Sequence, residues 1–156
     1  MEEKNIQGPE KYEKPKKQFM IVKGIVIDSE GRILVLQRDR DWHKEAHKKW
    51  EFPGGKVDFG EHPEETCIRE IFEESGYNAS VRKVLPKIES SYWEYEDRDS
   101  QQILICYVCD LIDGNPNLED HGVMKLKWCL PDEIFELEVL PKTHEFLKIY
   151  LENKKN

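Results

Sequence analysis

The sequence contains no apolar run approaching the roughly 18 to 20 residues that a helix needs to cross a bilayer. Its first residues, MEEKNIQGPEKYEKPKKQ, carry charge with no apolar segment behind it, so a secretory leader is not expected. An excess of positive charge is also missing. Lys and Arg total 24 against 32 Asp and Glu, a net charge of −8, which argues against the clustered cations that grip nucleic acid polymers. An acidic chain can still take a phosphorylated small molecule if metal ions supply the positive charge. Cysteine is sparse, at 67, 106, 109 and 129. Cys106 and Cys109 form a C-x-x-C, but they lie in QQILICYVCDLI, which reads as a strand. Residues three apart on a strand face opposite ways. Reduced structural thiols in a cytoplasmic protein are therefore expected rather than a zinc or redox pair.

The 156 residues suit a single domain with a real core. Residues 1 to 17 offer almost nothing to bury and are expected to form a disordered tail ahead of a domain over 18–156. Phe19 to Ile27 and Ile33 to Gln37 are rich in β-branched residues and read as hairpin partners across Ser29-Glu-Gly-Arg32. RDRDWHKEAHKK, from Arg38, reads as an exposed loop. Trp50-Glu-Phe-Pro-Gly-Gly55 reads as a short strand with a turn. A helix is predicted from Pro63 to Ser75, with Glu64 and Glu65 at its positive end and Gly76 as a left-handed stop. Strands are expected over 79–88, 91–95, 102–112 and 124–129. A short helix is expected from Pro131 and a longer one over 142–153. This order gives an α+β fold, an α/β/α sandwich around a central mixed sheet.

The helix carries the chemistry. Glu70, Glu73 and Glu74 are related by i+3 and i+4 and share one side, while Cys67, Ile68, Ile71 and Phe72 are expected to pack on the sheet. The carboxylates lie near the negative end of the macrodipole, which disfavours anions by roughly 0.3 to 1 kcal/mol each, and they repel one another. Arg69 can offset part of this by pairing with Glu65 or Glu73, each four positions away. Bound Mg²⁺, a hard cation that takes oxygen ligands, would offset more. From spacing alone, a solvated acidic face and a cation site both remain open.

Gly55-x5-Glu61-x7-Arg69-Glu70-Ile71-x-Glu73-Glu74-x-Gly76-Tyr77 resembles the Nudix box, G-x5-E-x7-R-E-U-x-E-E-x-G-U, with U a bulky apolar residue. Every charged and glycine position agrees; only Tyr77 departs, where an aliphatic residue is usual. Glu51-Phe-Pro-Gly54 is similar to the approach to the box in MutT-type members. The resemblance implies hydrolysis of a diphosphate bond in a nucleoside triphosphate or related nucleoside diphosphate derivative. In such a reaction metal-activated water attacks phosphorus, and Mg²⁺ is the expected cofactor, with Mn²⁺ as a substitute. It implies that Glu70, Glu73 and Glu74 hold the ions with the carbonyl of Gly54. Arg69 would orient these glutamates, and Glu61 would support them. A general base could be a box glutamate or a loop carboxylate, Glu119 first and Asp120 second.

Trp50, Tyr92 and Tyr95 are candidate substrate-binding residues, since aromatics can stack on a base, and Trp42 and Trp93 could join them. Tyr92 and Tyr95 lie 15 and 18 residues past the box, an offset reminiscent of dinucleoside polyphosphate hydrolases. The proline about 15 residues past the box that often accompanies ADP-ribose cleavage is absent; Pro86 lies only 9 past it. Alternative substrates are a dinucleoside polyphosphate, an NDP-sugar or ADP-ribose, and the 5′ end of RNA. A module that senses nucleotides without cutting them is the alternative from another class. His43-Lys-Glu-Ala-His47 lacks the Glu directly after its first His that a zinc protease requires. The sequence leaves oligomeric state open, a homodimer among the options.

Overall fold

The structure, a computed structural model, describes residues 14–119 and 122–154. Its elements are β1 (Lys16–Ile27), β2 (Ile33–Arg38), β3 (Trp50–Glu51), β4 (Gly54–Lys56), α1 (Pro63–Ser75), β5 (Tyr77–Val84), β6 (Glu89–Glu94), β7 (Asp99–Gly114), β8 (Val123–Cys129), α2 (Pro131–Phe135) and α3 (Thr143–Glu152). Residues 1–13 of the expected tail lie outside the described residues. Lys16 and Lys17, the end of that expected tail, instead pair with Asp99 and Ser100 as the start of β1.

The sheet is mixed. β1 runs parallel to β7 along its whole length, from Lys16↔Asp99 to Ile27↔Asp110. Its other pairings, to β2 and β4, are antiparallel. β2 lies between β3 and β8, and β7 also carries β5 and β6. The period-2 alternation of β1 and β2 sends side chains to two cores. Ile21, Ile25, Ile33 and Val35 join Ile134, Phe146, Leu147 and Tyr150 beneath α2 and α3. Val22, Val26, Leu34 and Leu36 pack with Cys67 and Ile71 of α1. Cys106 falls in the first core and Cys109 in the second, so the C-x-x-C thiols diverge across the sheet. The Sγ of Cys109 lies 4.0 Å from that of Cys67.

α1 has the bounds its capping residues predict. His62 Nδ1 accepts the Glu64 N–H at 3.3 Å, Pro63 occupies the first turn, and Gly76 closes the helix at φ 83° with its N–H on the Phe72 carbonyl. The buried face differs from expectation. Thr66, Cys67, Ile71, Glu74 and Ser75 are buried, whereas Ile68 and Phe72 are exposed. The helix is rotated so that Glu74, not Phe72, faces the sheet, because Glu74 has a charged partner there.

Candidate active site

That partner is Arg38, the last residue of β2 and 3% exposed. The parity that turns Leu34 and Leu36 toward α1 also turns Arg38 toward it, so it is not part of an exposed loop. Its Nη1 lies 2.5 Å from Glu74 Oε2, and its Nε donates to Glu51 Oε2 at 3.0 Å. Lys23 pairs with the other oxygen of Glu51. Burial alone would push Glu51 up, but the Arg38 and Lys23 charges reverse this and hold it down at about 2. Glu74 is 5% exposed, and its Oε1 accepts the Gly54 N–H at 2.8 Å. The expected exposed acidic face is therefore corrected at Glu74, whose oxygens are both engaged within the protein.

Glu70 lies against Gly55. A Cβ there would stand 2.5 Å from Glu70 Cδ, so glycine is what lets the carboxylate approach the strand. Burial, then the Glu74 charge, raise Glu70 to about 7 against the opposing pull of Arg69. Glu73 projects further into solvent. Arg69 gathers the acids: its Nε and Nη2 donate to Glu61 at 2.8 and 3.0 Å, and its Nη1 to Glu70 at 3.2 Å and Glu73 at 3.0 Å. Glu73 is thus one expected Arg69 partner found here; the other, Glu65, is replaced by Glu61, Glu70 and Asp58. Hydrogen bonding from Arg69 holds Glu61 down at about 2.

Gly54 and Gly55 also border a cavity of about 230 Å³. Trp93, Tyr95 and His43 supply aromatic wall, Leu140 and Phe146 an apolar floor, and Lys23, Arg38 and Arg40 positive charge. The rings of His43 and Trp93 meet edge to face at 4.6 Å, and Tyr95 lies 5.0 Å from His43. Ser91 Oγ donates to Gln102 Oε1 at 3.2 Å on the same wall. Of the expected aromatic contacts, Trp93 and Tyr95 line this cavity. Trp50 packs against the α2/α3 core, and Tyr92 is 61% exposed beside Lys16, Lys17 and Asp99.

Glu119 is exposed, with its N–H on Asn117 Oδ1 at 2.9 Å. The loop docks at the C-terminal end of α1, where the Asn117 N–H donates to the Ser75 carbonyl at 2.8 Å. Asp120 lies outside the described residues. His43 and His47 act separately: His47 Nδ1 accepts the Arg40 N–H at 3.0 Å, and His43 is buried against the aromatic wall. Among the described residues, no three His, Cys, Asp or Glu side chains are gathered to hold a metal ion as they stand. The donor set at Glu70, Glu73 and Glu74 nonetheless fits a hard cation. It is all oxygen, it is crowded enough to raise Glu70, and it borders a glycine strand that leaves space. The sequence reading missed Arg38, Lys23, Glu51 and His43. Strand parity pointed to Arg38, and a carboxylate between Trp50 and Phe52 pointed to Glu51.

The NUDIX domain profile matches residues 18–151, and the chain belongs to that family of pyrophosphohydrolases. It is 26% identical over 126 residues to the CTP pyrophosphohydrolase of Escherichia coli, covering 81% of this chain and 87% of that protein. It is 35% identical over 82 residues to the 8-oxo-dGTP diphosphatase of the same organism, covering 53% of this chain and 60% of the relative. The crystal structure of the MutT protein from Methanosarcina mazei Go1 superposes with a TM-score of 0.68 at 22% identity, over 92% of this chain and 99% of that one. Among the described residues, no helix is long and apolar enough to cross a membrane.

Proposed function

We propose that the chain hydrolyses a diphosphate bond in a nucleoside triphosphate or a related nucleoside diphosphate derivative, using Mg²⁺ or, in its place, Mn²⁺. The observation that carries this reading is the Gly54–Gly55 strand. It touches Glu70 and Glu74 and also lines an aromatic cavity. A base held against Trp93 and Tyr95 would direct its phosphates past the glycines toward the carboxylates. The absence of a Cβ at Gly55 leaves room for that approach beside Glu70. The names of the two Escherichia coli relatives favour this substrate class over the others.

Glu70, Glu73 and Glu74 are the ion ligands in this reading, with the Gly54 carbonyl beside them. Divalent ions bound there would offset charge on the diphosphate and lower the pKa of the attacking water. Arg69 orients the glutamates, and Glu61 fixes Arg69. Proton removal falls to a box glutamate or to Glu119, which a comparison of Glu70→Gln with Glu119→Gln would separate. Tyr95 serves the substrate from the cavity wall. Trp50 and Tyr92 do not line the cavity and would act only outside it.

A panel of nucleoside triphosphates, a dinucleoside polyphosphate, an NDP-sugar and ADP-ribose, each with Mg²⁺, tests the reading. The expected products from a triphosphate are the monophosphate and pyrophosphate, lost with EDTA. Turnover confined to ADP-ribose, the NDP-sugar or the dinucleoside polyphosphate would replace the substrate class. Turnover undiminished by EDTA would remove the metal.

A further inference from the structure

We propose that Arg38 is a positioning residue that withholds Glu74 from the divalent ion until a phosphate group takes its place, so that Glu74 becomes an ion ligand only once substrate is bound. This rests on the metal-dependent reading above.

Both oxygens of Glu74 are engaged within the protein. Oε1 accepts the Gly54 N–H at 2.8 Å, and Oε2 lies 2.5 Å from Arg38 Nη1. A hard cation needs one of these oxygens and competes with a guanidinium for it. That competition is steep because the pair is almost entirely buried, where an uncompensated charge is heavily penalised. If Glu74 left, Arg38 and Lys23 would share the single charge of Glu51, so its release is favoured when Arg38 acquires another anion.

The geometry provides for that exchange. Arg38 also lines the cavity, together with Gly54 and Gly55, so an anion entering there meets it directly. Guanidinium matches phosphate oxygens in planar, two-point geometry. Glu51, the second partner of Arg38, is not stranded by the move, because Lys23 stays on its other oxygen. After the exchange each charge again has a partner: Arg38 has the phosphate, Glu74 the divalent ion and Glu51 has Lys23. Phosphate and ion then each raise the affinity of the other, since each removes the obstacle the other faces.

The test measures binding rather than turnover, on full-length protein without nucleotide. Mn²⁺ affinity is measured for the wild type and Glu74→Gln, and inorganic pyrophosphate affinity for the same pair in EDTA. The amide oxygen that Glu74→Gln introduces can still accept the Gly54 N–H. With Glu74 withheld, Glu74→Gln should change Mn²⁺ affinity threefold or less. It should tighten pyrophosphate binding about tenfold, because Arg38 is released. Arg38→Met should tighten Mn²⁺ binding about tenfold, and adding Glu74→Gln should abolish that gain. If Arg38→Met does not fold, the Glu74→Gln measurements stand without it. A loss of Mn²⁺ affinity beyond threefold in Glu74→Gln, or pyrophosphate binding tightened by less than threefold, overturns this inference alone. Absence of Mn²⁺ binding in every variant overturns the metal site as well.

Discussion

Gly54 and Gly55 are adjacent and chemically identical, yet an added methyl group should have opposite consequences at each. At Gly54 a Cβ would stand 1.9 Å from the Val22 carbonyl oxygen and 2.8 Å from Lys23 Cα. Both are backbone atoms of β1, and relief would require the β1–β4 pairing to move. Overpacking of this kind costs about 1 to 3 kcal/mol even where side chains can yield, so Gly54→Ala should cost about 3 kcal/mol or more. That lowers the melting temperature by about 6 to 12 °C for a chain of this size. At Gly55 the obstacles are Glu70 Cδ at 2.5 Å and its oxygens at 2.6 and 2.9 Å, the far end of a flexible side chain. Glu70 can swing aside, and neither glycine has a positive φ that would strain an alanine. Restricting the unfolded chain contributes about 0.4 to 1 kcal/mol in favour of Gly55→Ala, so its stability should stay within about 1 kcal/mol of wild type. A displaced Glu70 should nevertheless lower turnover about 100-fold, the scale of a 1 Å misplacement. Circular dichroism melts and Mg²⁺-dependent pyrophosphate release measure the two effects. Melts that rank the variants in the opposite order, or wild-type turnover in Gly55→Ala, would refute the reasoning.

In EDTA, Glu70 is held at about 7 in the fold against an ordinary 4.5, so the folded state keeps a proton that the unfolded state has lost between those values. Stability should be highest near pH 4.5 and fall by about 1 to 2 kcal/mol by pH 7, less than full linkage gives because Glu70 is half-buried. Saturating Mg²⁺ or Glu70→Gln should remove that slope, and melts that rise over this range in EDTA contradict it. Glu61→Gln removes the charge that Arg69 pairs with most closely, at a largely solvated site. It should leave the melting temperature near that of the wild type yet reduce turnover about 10- to 100-fold; a marked loss of stability would make Glu61 structural. All four cysteines are buried, and burial pushes the thiols of Cys106 and Cys129 up. Ellman's reagent should therefore leave the native protein unlabelled and count four thiols after unfolding, whereas rapid native labelling would show an accessible site. Arg38→Met leaves the buried Glu74 without a counter-charge while Glu51 keeps Lys23, and should cost about 3 to 5 kcal/mol. Adding Glu74→Gln should restore most of that by removing the uncompensated charge, and a thermal melt that does not recover would show that Arg38 supports the fold by other contacts.

The bounds of α1 were legible because their signals are local: Pro63 in the first turn, acids after it and Gly76 at the end all lie within one segment. The mixed sheet followed in the same way from the order of strands and helices. The burial of Glu74 was harder to see, because it depends on Arg38, 36 residues earlier on another element. Even so, Glu74 projects within about 20° of Cys67 at 100° per residue, so the projection that grouped it with Glu70 also placed it at the edge of the buried face. Ile68 and Phe72 were assigned to that face because they are apolar, and the charged pair displaced them. His43 was hidden for a different reason. Its segment is uniformly polar, and only the fold brings it against Trp93 and Tyr95.

A buried pair such as Arg38 and Glu74 is not explained by stability. Its Coulomb attraction offsets the cost of desolvating both charges, and an apolar pair of similar volume often does as well. Glu51 and Lys23 could neutralise each other without Arg38. Under the proposed exchange, the arrangement provides a cation at the cavity wall and a carboxylate at the proposed ion site, each neutralised by the other until ligands of opposite charge arrive. Two of the three acids that spacing assigned to one function therefore differ before any ligand binds. Glu70 is crowded and holds its proton too tightly, while Glu74 is fully paired. In the proposed exchange, Glu70 would take a cation at once, and Glu74 only in exchange for a phosphate.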